Sequence, residues 1–522
     1  MCSPFCSLCL CIVCAVLGAV VERLRKMKYL VTAAEMKHYD ENTIEKIGIP
    51  GMVLMERAAL AAFEALNERF TAEKLKNSTV LVLAGMGNNG GDGLALARLL
   101  GEAGCKVDVW CVGDEAKASK QWKCQRDILQ NYPVRISCKP EKEEYNILID
   151  ALFGVGLSRE IGGVFLEAVE YFNALSGFKL ALDMPSGVCS DTGRVLGCAV
   201  KTDMTVTFAF EKRGLALFPG CEYGGRVITA DIGIMERAFF GQEPQMFYYD
   251  EEPVELLPNR CADSNKGSFG KVLLIAGSVN MAGAAVLSAR SAYRVGAGMV
   301  KVISPEENRI ILQQAVPEAL FGTIEDLEES LKWADVIAIG PGLSQGEQAF
   351  GCLEKVILES RLPLLIDADG LNLLAKDRRL KECLSKQGAE GRSIIVTPHV
   401  GELARLLKQP VVELKTKLAD YGKSLADSLH CVVVAKDAKT FTCRENAPIC
   451  VNLRGNSGMA TAGSGDVLAG IIAGLLAQGM EPFRAAAVGV SIHAWAGDQA
   501  AKVLGEHACM AGDIIMHLRK KV

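Results

Sequence analysis

Two series of strand-length apolar segments alternating with helix-prone segments, separated by a break at residues 236–262, constrain this chain more than any other feature. From residue 78, STVLVLAG, KVDVWCVG, YNILIDALFG and KLALDMPSG read as strands, with DGLALARLLGEAG, QWKCQRDILQNY and FLEAVEYFNAL as the helices between them. Strands this apolar need cover on both faces, which predicts a mainly parallel sheet with functional residues at the strand C-terminal ends. The break, ERAFFGQEPQMFYYDEEPVELLPNR, carries three prolines and many charges. A second series follows it through GKVLLIAGS, ADVIAIGPGLS, RLPLLIDADGLNLL, SIIVTPHVGELARLL and HCVVVAKDAKTF. The expected fold class is therefore α/β in two large domains, as 522 residues require.

A formal net charge of −5 and a pI of 5.9 leave no broad basic surface for nucleic acid. The 19 cysteines are scattered through a large chain, so reduced, mostly buried thiols are expected rather than a disulfide framework. FCSLCLCIVCAVLGAVV (5–21), followed by ERLRK, reads either as a short membrane segment or as an over-extended start, and the second is favoured. With Arg23, Arg25 and Lys26 behind the run, the rest of the chain is expected to be cytoplasmic in both cases, with no stable membrane partner.

In the first series three strand ends carry polar groups. MGNNGGDGLALARLL follows VLVLAG, and its glycines let backbone approach a ligand ahead of a helix N-terminus. LIDALFGVGLSREIGG places Asp150 before Gly154 and Gly156, and ALDMPSG places Asp183 before Ser186. Carboxylate, amide and hydroxyl meeting in one crevice suit a monovalent cation, or a proton transfer with Asp183 as acid or base. For each acid alone, helix capping is the competing role.

NNGGDG, DALFGVGL and DMPSG in this order, with the opening KYLVTAAEMKHYDENTIEKIGIPGMVLMERAA, resemble the YjeF N-terminal domain, the family of NAD(P)H-hydrate epimerases. The resemblance implies a Rossmann-like three-layer α/β/α domain over residues 27–235, after an extension at 1–26. It implies a hydrate pocket lined by Asn88, Asn89, Gly90, Gly91 and Asp92 and by Gly154, Val155, Gly156, Leu157, Ser158, Arg159 and Glu160, with Asp183 on the substrate. Asn89, Asp150 and Ser186 would form a potassium site.

The strongest segment of the second series is GNSGMATAGSGDVLAGIIAGLLAQG. Val467–Gln478 is apolar on nearly every face and predicts a buried helix, whose N-terminal dipole and N–H groups favour an anion at Gly463, Ser464 and Gly465. Asp466 repels that anion, a conflict that disappears if a hydroxyl lies between the carboxylate and a terminal phosphorus, because the carboxylate can accept the hydroxyl proton during attack. His399, after Pro398, is either a ligand contact or a helix cap, and Lys436 either reaches a nucleotide or is a solvated charge.

NKGSFGKVLLIAGS, GPG, DADGLNLL, TPHVGEL and the GSGD segment together resemble the YjeF C-terminal domain, the ADP-dependent NAD(P)H-hydrate dehydratases of the ribokinase-like superfamily. That match implies a ribokinase-like α/β domain over 250–522, with 236–249 as linker. Ala284, Gly342, His399 and Asp466 would contact the hydrate, and Lys436, Asp437, Ala438, Lys439, Thr440 and Gly465 would hold ADP or AMP. The implied chemistry moves the β-phosphoryl of ADP, with Mg2+ assisting, onto the hydrate's C6 hydroxyl, after which the ring nitrogen expels phosphate. Both domains together imply a bifunctional repair enzyme, expected to be a homo-oligomer, that interconverts R and S hydrates and returns the S form to NAD(P)H. The alternative is a ribokinase-like kinase of a small alcohol with an N-terminal binding module. Ala462 and Asp437 stand where glycine is usual, which raises the question of positive φ at both.

Overall fold

The computed structural model describes residues 27–137, 139–140 and 144–518. The apolar run at 5–21 lies outside them, and among the described residues no helix is long and apolar enough to cross a membrane. The described cysteines form no disulfide. The described residues divide into two compact units, 29–245 on the one hand and 27–28 with 246–518 on the other.

The N-terminal unit is built on β1 (Thr79–Ala84), β2 (Lys106–Cys111), β3 (Val134–Ser137), β4 (Ile147–Ala151), β5 (Phe178–Leu182), β6 (Met204–Phe208) and β7 (Arg226–Ala230). They form one parallel sheet in the order β3-β2-β1-β4-β5-β6-β7, with Val80 opposite Ile147 and Ala84 opposite Ala151. Val80 to Ala84 are wholly buried, as continuous apolar strands of a sheet covered on both faces must be. The direction of strand addition reverses between β1 and β4, and loops leaving the two strands there diverge to open a crevice. Helix α1 (Asn88–Glu102) starts in that crevice straight from β1.

Only glycine permits so abrupt a start. A Cβ on Gly90 would stand 1.8 Å from the Gly85 carbonyl oxygen, a backbone atom unable to yield. Gly90→Ala is therefore expected to destabilise the N-terminal unit by about 1–3 kcal/mol. Calorimetry of the full chain should show its transition shifted down by about 2–4 °C for each kcal/mol.

The C-terminal unit contains β8 (Met246–Tyr249), β9 (Lys271–Ile275), β10 (Met299–Ile303), β11 (Leu320–Gly322), β12 (Val336–Ile339), β13 (Leu364–Ile366), β14 (Ile394–Val396), β15 (Val432–Ala435), β16 (Thr440–Cys443) and β17 (Ile449–Asn452). Their order is β11-β10-β9-β12-β13-β14-β15-β16-β17-β8, parallel as far as β15, with β16 antiparallel to both its neighbours. Met246 pairs with Ile449, so the end of the 236–249 segment is a strand of this sheet. Helix α2 (Ala282–Arg294) follows β9, and α3 (Val400–Leu407) follows β14. Helix α4 (Ser464–Ala477) is buried at every position from Val467 to Leu476, and α5 (Pro482–Leu504) packs beside it.

Candidate active sites

In the N-terminal unit the three polar strand ends meet. Asp150, at the end of β4, is wholly buried; its Oδ1 accepts from Ser186 Oγ at 2.6 Å and Leu152 N at 3.2 Å, and its Oδ2 from Ser186 N at 2.7 Å. Burial raises its carboxyl to about 6, and these donors offset only part of that cost. Ser186 Oγ also accepts from Phe153 N at 2.9 Å, which ties the 154–160 turn to the same point. Asn89 Oδ1 and Nδ2 are both buried without a hydrogen-bond partner among the described residues. A Cβ on Gly154 would lie 3.1 Å from Asp183 Oδ2 and 3.3 Å from Asn89 Cγ, so the Asn89, Gly154 and Asp183 segments converge on one point.

The remaining predicted residues spread around that point. Asn88 is exposed at the start of α1 and Gly156, Ser158, Arg159 and Glu160 are exposed on the loop after β4, while Val155 and Leu157 pack partly into the unit. Gly90 and Gly91 turn inward, toward Gly85 and Met55, and serve the close approach of helix to strand. Asp183 has a left-handed φ of 64°, an uncommon conformation for a residue with a side chain. It is no helix cap: its carboxylate pairs with Lys212, which is 1% exposed. Lys212 and the nearby Asp40 escaped sequence reasoning, and the run EKRG offered no signal for the lysine.

The C-terminal crevice opens between β9 and β12, where strand addition again reverses. A Cβ on Gly342 would lie 2.7 Å from Ala284 Cβ, so these two predicted contacts adjoin. His399 caps α3: its Nδ1 accepts from Gly401 N at 2.9 Å, and Glu402 Oε2 reciprocates by accepting from His399 N at 2.8 Å. Capping and ligand contact are compatible here, because half the imidazole stays exposed and its other nitrogen lies 3.4 Å from Glu402 Oε1. Burial, Lys436 and Arg405 lower its pKa, which favours neutral imidazole.

Lys436 is not a solvated charge. Its Nζ donates to Asp367 Oδ1 at 2.7 Å, and Thr397 Oγ1 donates to the same oxygen at 2.7 Å. A Cβ on Gly465 would lie 3.6 Å from Lys436 Nζ, so the cation missing from the GSGD loop is supplied from the end of β15. Gly463 has φ 89°, turning the chain into α4, and the N–H groups of Gly465 and Asp466 have no backbone acceptor. Burial chiefly, then the Asp367 carboxylate, raises the Asp466 carboxyl to about 6; Lys436 opposes them. Glu402 is raised to about 7, again chiefly by burial. Asp437, Ala438 and Lys439 form the β15–β16 turn and Thr440 opens β16, with Lys439 Nζ donating to Leu453 O at 2.9 Å. Neither Asp437 nor Ala462 adopts positive φ, so neither strains its loop.

Sequence reasoning also missed two supports of this site on α5. Ser464 Oγ lies 3.3 Å from His493 Nε2, an imidazole that burial lowers to about 4 and so keeps neutral. Asp498 accepts from Gly455 N at 3.0 Å and Asn456 Nδ2 at 2.9 Å.

Residues 51–214 match the family model described as YjeF-related protein N-terminus, and residues 272–518 the one described as NAD(P)H-hydrate dehydratase. The bifunctional NAD(P)H-hydrate repair enzyme Nnr of Moorella thermoacetica is 34% identical, over 93% of this chain and 95% of its own. The enzyme of the same name from Coxiella burnetii is 37% identical, over 94% and 99%. A crystal structure of ADP/ATP-dependent NAD(P)H-hydrate dehydratase from Bacillus subtilis, co-crystallized with ATP/Mg2+, is 30% identical, covers 51% of this chain and 93% of that one, and has a TM-score of 0.45. With relatives this similar across both units and nearly their whole length, the chain belongs to the family of bifunctional NAD(P)H-hydrate repair enzymes.

Proposed function

We propose that the N-terminal crevice interconverts the R and S hydrates of NADH and NADPH, and that the C-terminal crevice dehydrates the S form with ADP, releasing AMP and phosphate. The observation that carries the second half is Asp466, a partly buried carboxylate in the first turn of an anion-binding helix whose counter-charge, Lys436, comes from another strand. A loop meant only to hold phosphate gains nothing from an acid there. An acid that takes a proton from an attacking hydroxyl does.

On this reading the C6 hydroxyl of the hydrate lies between Asp466 and the β-phosphorus of ADP. Asp466 accepts its proton as the new P–O bond forms, while the N–H groups of Gly465 and Asp466 and the Lys436 ammonium receive the phosphoryl oxygens. The ring nitrogen then expels phosphate from C6, and the resulting iminium loses a proton from C5 to solvent, which forms the 5,6 double bond of NAD(P)H. Asp437 to Thr440 and Gly465 flank the nucleotide, and Ala284, Gly342 and His399 flank the hydrate. Asp367, Glu402 and Asp466 outnumber Lys436, a surplus of negative charge that fits magnesium near Asp367 and Glu402; when bound, Mg2+ shields the phosphate charges.

In the N-terminal crevice the unpartnered Asn89 amide oxygen, the Asp150 carboxylate and the Ser186 hydroxyl fit a potassium ion. Asp150 is stabilised only by hydrogen-bond donors, and a bound cation supplies the missing positive charge. Asp183 handles the substrate proton.

Hydrated NADH supplied with ADP and Mg2+ is expected to regain dihydronicotinamide absorbance, with one AMP and one phosphate formed per NADH. Accumulation of a stable phosphorylated product would overturn the dehydratase reading in favour of a small-alcohol kinase.

A further inference from the structure

The buried ion pair beneath the N-terminal crevice has a geometry with a mechanistic meaning. An ammonium has three hydrogens to donate. Those of Lys212 go to Asp183 Oδ1, to Thr207 Oγ1 at 2.9 Å and to Phe208 O at 2.8 Å, so none is left for a ligand. Asp183 Oδ1 also accepts from Thr207 Oγ1 at 3.3 Å and Phe208 N at 3.4 Å. Every donor to Asp183 thus gathers on one oxygen. The other, Oδ2, faces the point where Gly154 and Asn89 meet.

Asp92 follows the first turn of α1, three residues beyond Asn89, and among the described residues no hydrogen bond holds its carboxyl. The charged groups that act on it are Asp183, Asp40 and Lys212. Burial, with the two carboxylates, pushes Asp92 well above the usual carboxylate range, and Lys212 only partly opposes this. Asp40 is raised as well, by burial, Glu41 and Asp183. One ammonium therefore serves three carboxyl groups, and it is hydrogen-bonded to only one of them.

We propose that Asp183 and Asp92 are the base and acid of epimerisation, with Lys212 as the positioning residue that anchors Asp183 Oδ1 and leaves Oδ2 free for the substrate. This rests on the epimerase reading above. Asp183 Oδ2 takes the proton of the C6 hydroxyl, C6 becomes a carbonyl carbon, and the C6–N1 bond breaks. Its electron pair passes to N1, which is conjugated with the ring double bond and the carboxamide and takes the proton of Asp92. Rotation about C5–C6 presents the opposite carbonyl face. N1 then attacks while Asp92 recovers its proton from N1 and Asp183 returns the other to the oxygen. The ring closes with C6 inverted, and nothing is oxidised or reduced.

The test uses the full chain and chiral chromatography of the R and S hydrates, over a range of pH. Wild-type protein that epimerises no faster than buffer would overturn the epimerase reading itself. If it epimerises, Lys212→Met is expected to lower kcat about 10²-fold with KM within about threefold, the cost of a displaced catalytic group. Asp92→Asn, which keeps shape and removes the proton, should lower kcat about 10²-fold and erase the alkaline limb. Dehydration of pure S hydrate by the same preparations should stay at the wild-type rate. A Lys212→Met protein that changes KM alone, or keeps the wild-type kcat, overturns the inference. If that protein loses the N-terminal melting transition, Asp92→Asn decides: wild-type kcat with an intact alkaline limb overturns it.

Discussion

Asp466→Asn is expected to lower ADP-dependent dehydration about 10²–10⁴-fold, the range for loss of a positioned proton acceptor, while R and S hydrates still interconvert at the wild-type rate. The change removes one charge and preserves the shape of the first turn of α4, so the anion hole formed by Gly465, Asp466 N–H and Lys436 persists. Nucleotide binding should hold or tighten, because the carboxylate that repels phosphate is gone. Titration of ADP followed by turnover of S hydrate separates the two effects. The wild-type pH profile carries the same assignment. The Asp466 carboxyl lies near 6 and acts only when deprotonated, so kcat/KM should fall about tenfold per pH unit below pH about 6. Glu402, near 7, could imprint its own limb, and Glu402→Gln identifies it.

Asp183→Asn is expected to stop epimerisation by a comparable factor and to leave dehydration of pure S hydrate untouched. The amide can still accept from Thr207 and Phe208, but it offers Lys212 no charge and the substrate no base. A mixture of R and S hydrates makes the outcome visible in one trace. With the variant, NADH should recover quickly only up to the S fraction and then creep at the uncatalysed rate, whereas the wild type should run to completion. A variant that also completes quickly would remove Asp183 from the proton path.

Both predictions concern residues visible in the sequence, and the reason is local. Asp183 and Asp466 stand in contiguous motifs at strand ends, where a few residues encode turn, helix start and reactive group together. The parallel sheets were legible for the same reason: a run such as VLVLAG states its burial in its own composition. The charges that complete each site were not. Lys212 reaches Asp183 across 29 residues and Lys436 reaches Asp367 across 69, pairings that depend on strand order and carry no periodicity. Lys436 invited interpretation as a surface charge because Asp437 and Lys439 follow it closely. His493 sits inside an alanine-rich helix, with nothing nearby to announce a polar partner. The glycines of NNGGDG carry a second constraint that the motif does not announce: a Cβ on Gly90 would meet Gly85 and one on Gly91 would meet Met55.

Helix α5 has a consequence for how the dehydratase crevice can open. Through His493 it holds the start of α4, and through Asp498 it holds Gly455 and Asn456, so both loops hang from one 23-residue rod. Neither loop can swing away alone without breaking its tie to the rod. In native-state hydrogen exchange the amides of Gly455 and those of α5 are expected to open as one cooperative unit, a single foldon rather than two adjustable flaps.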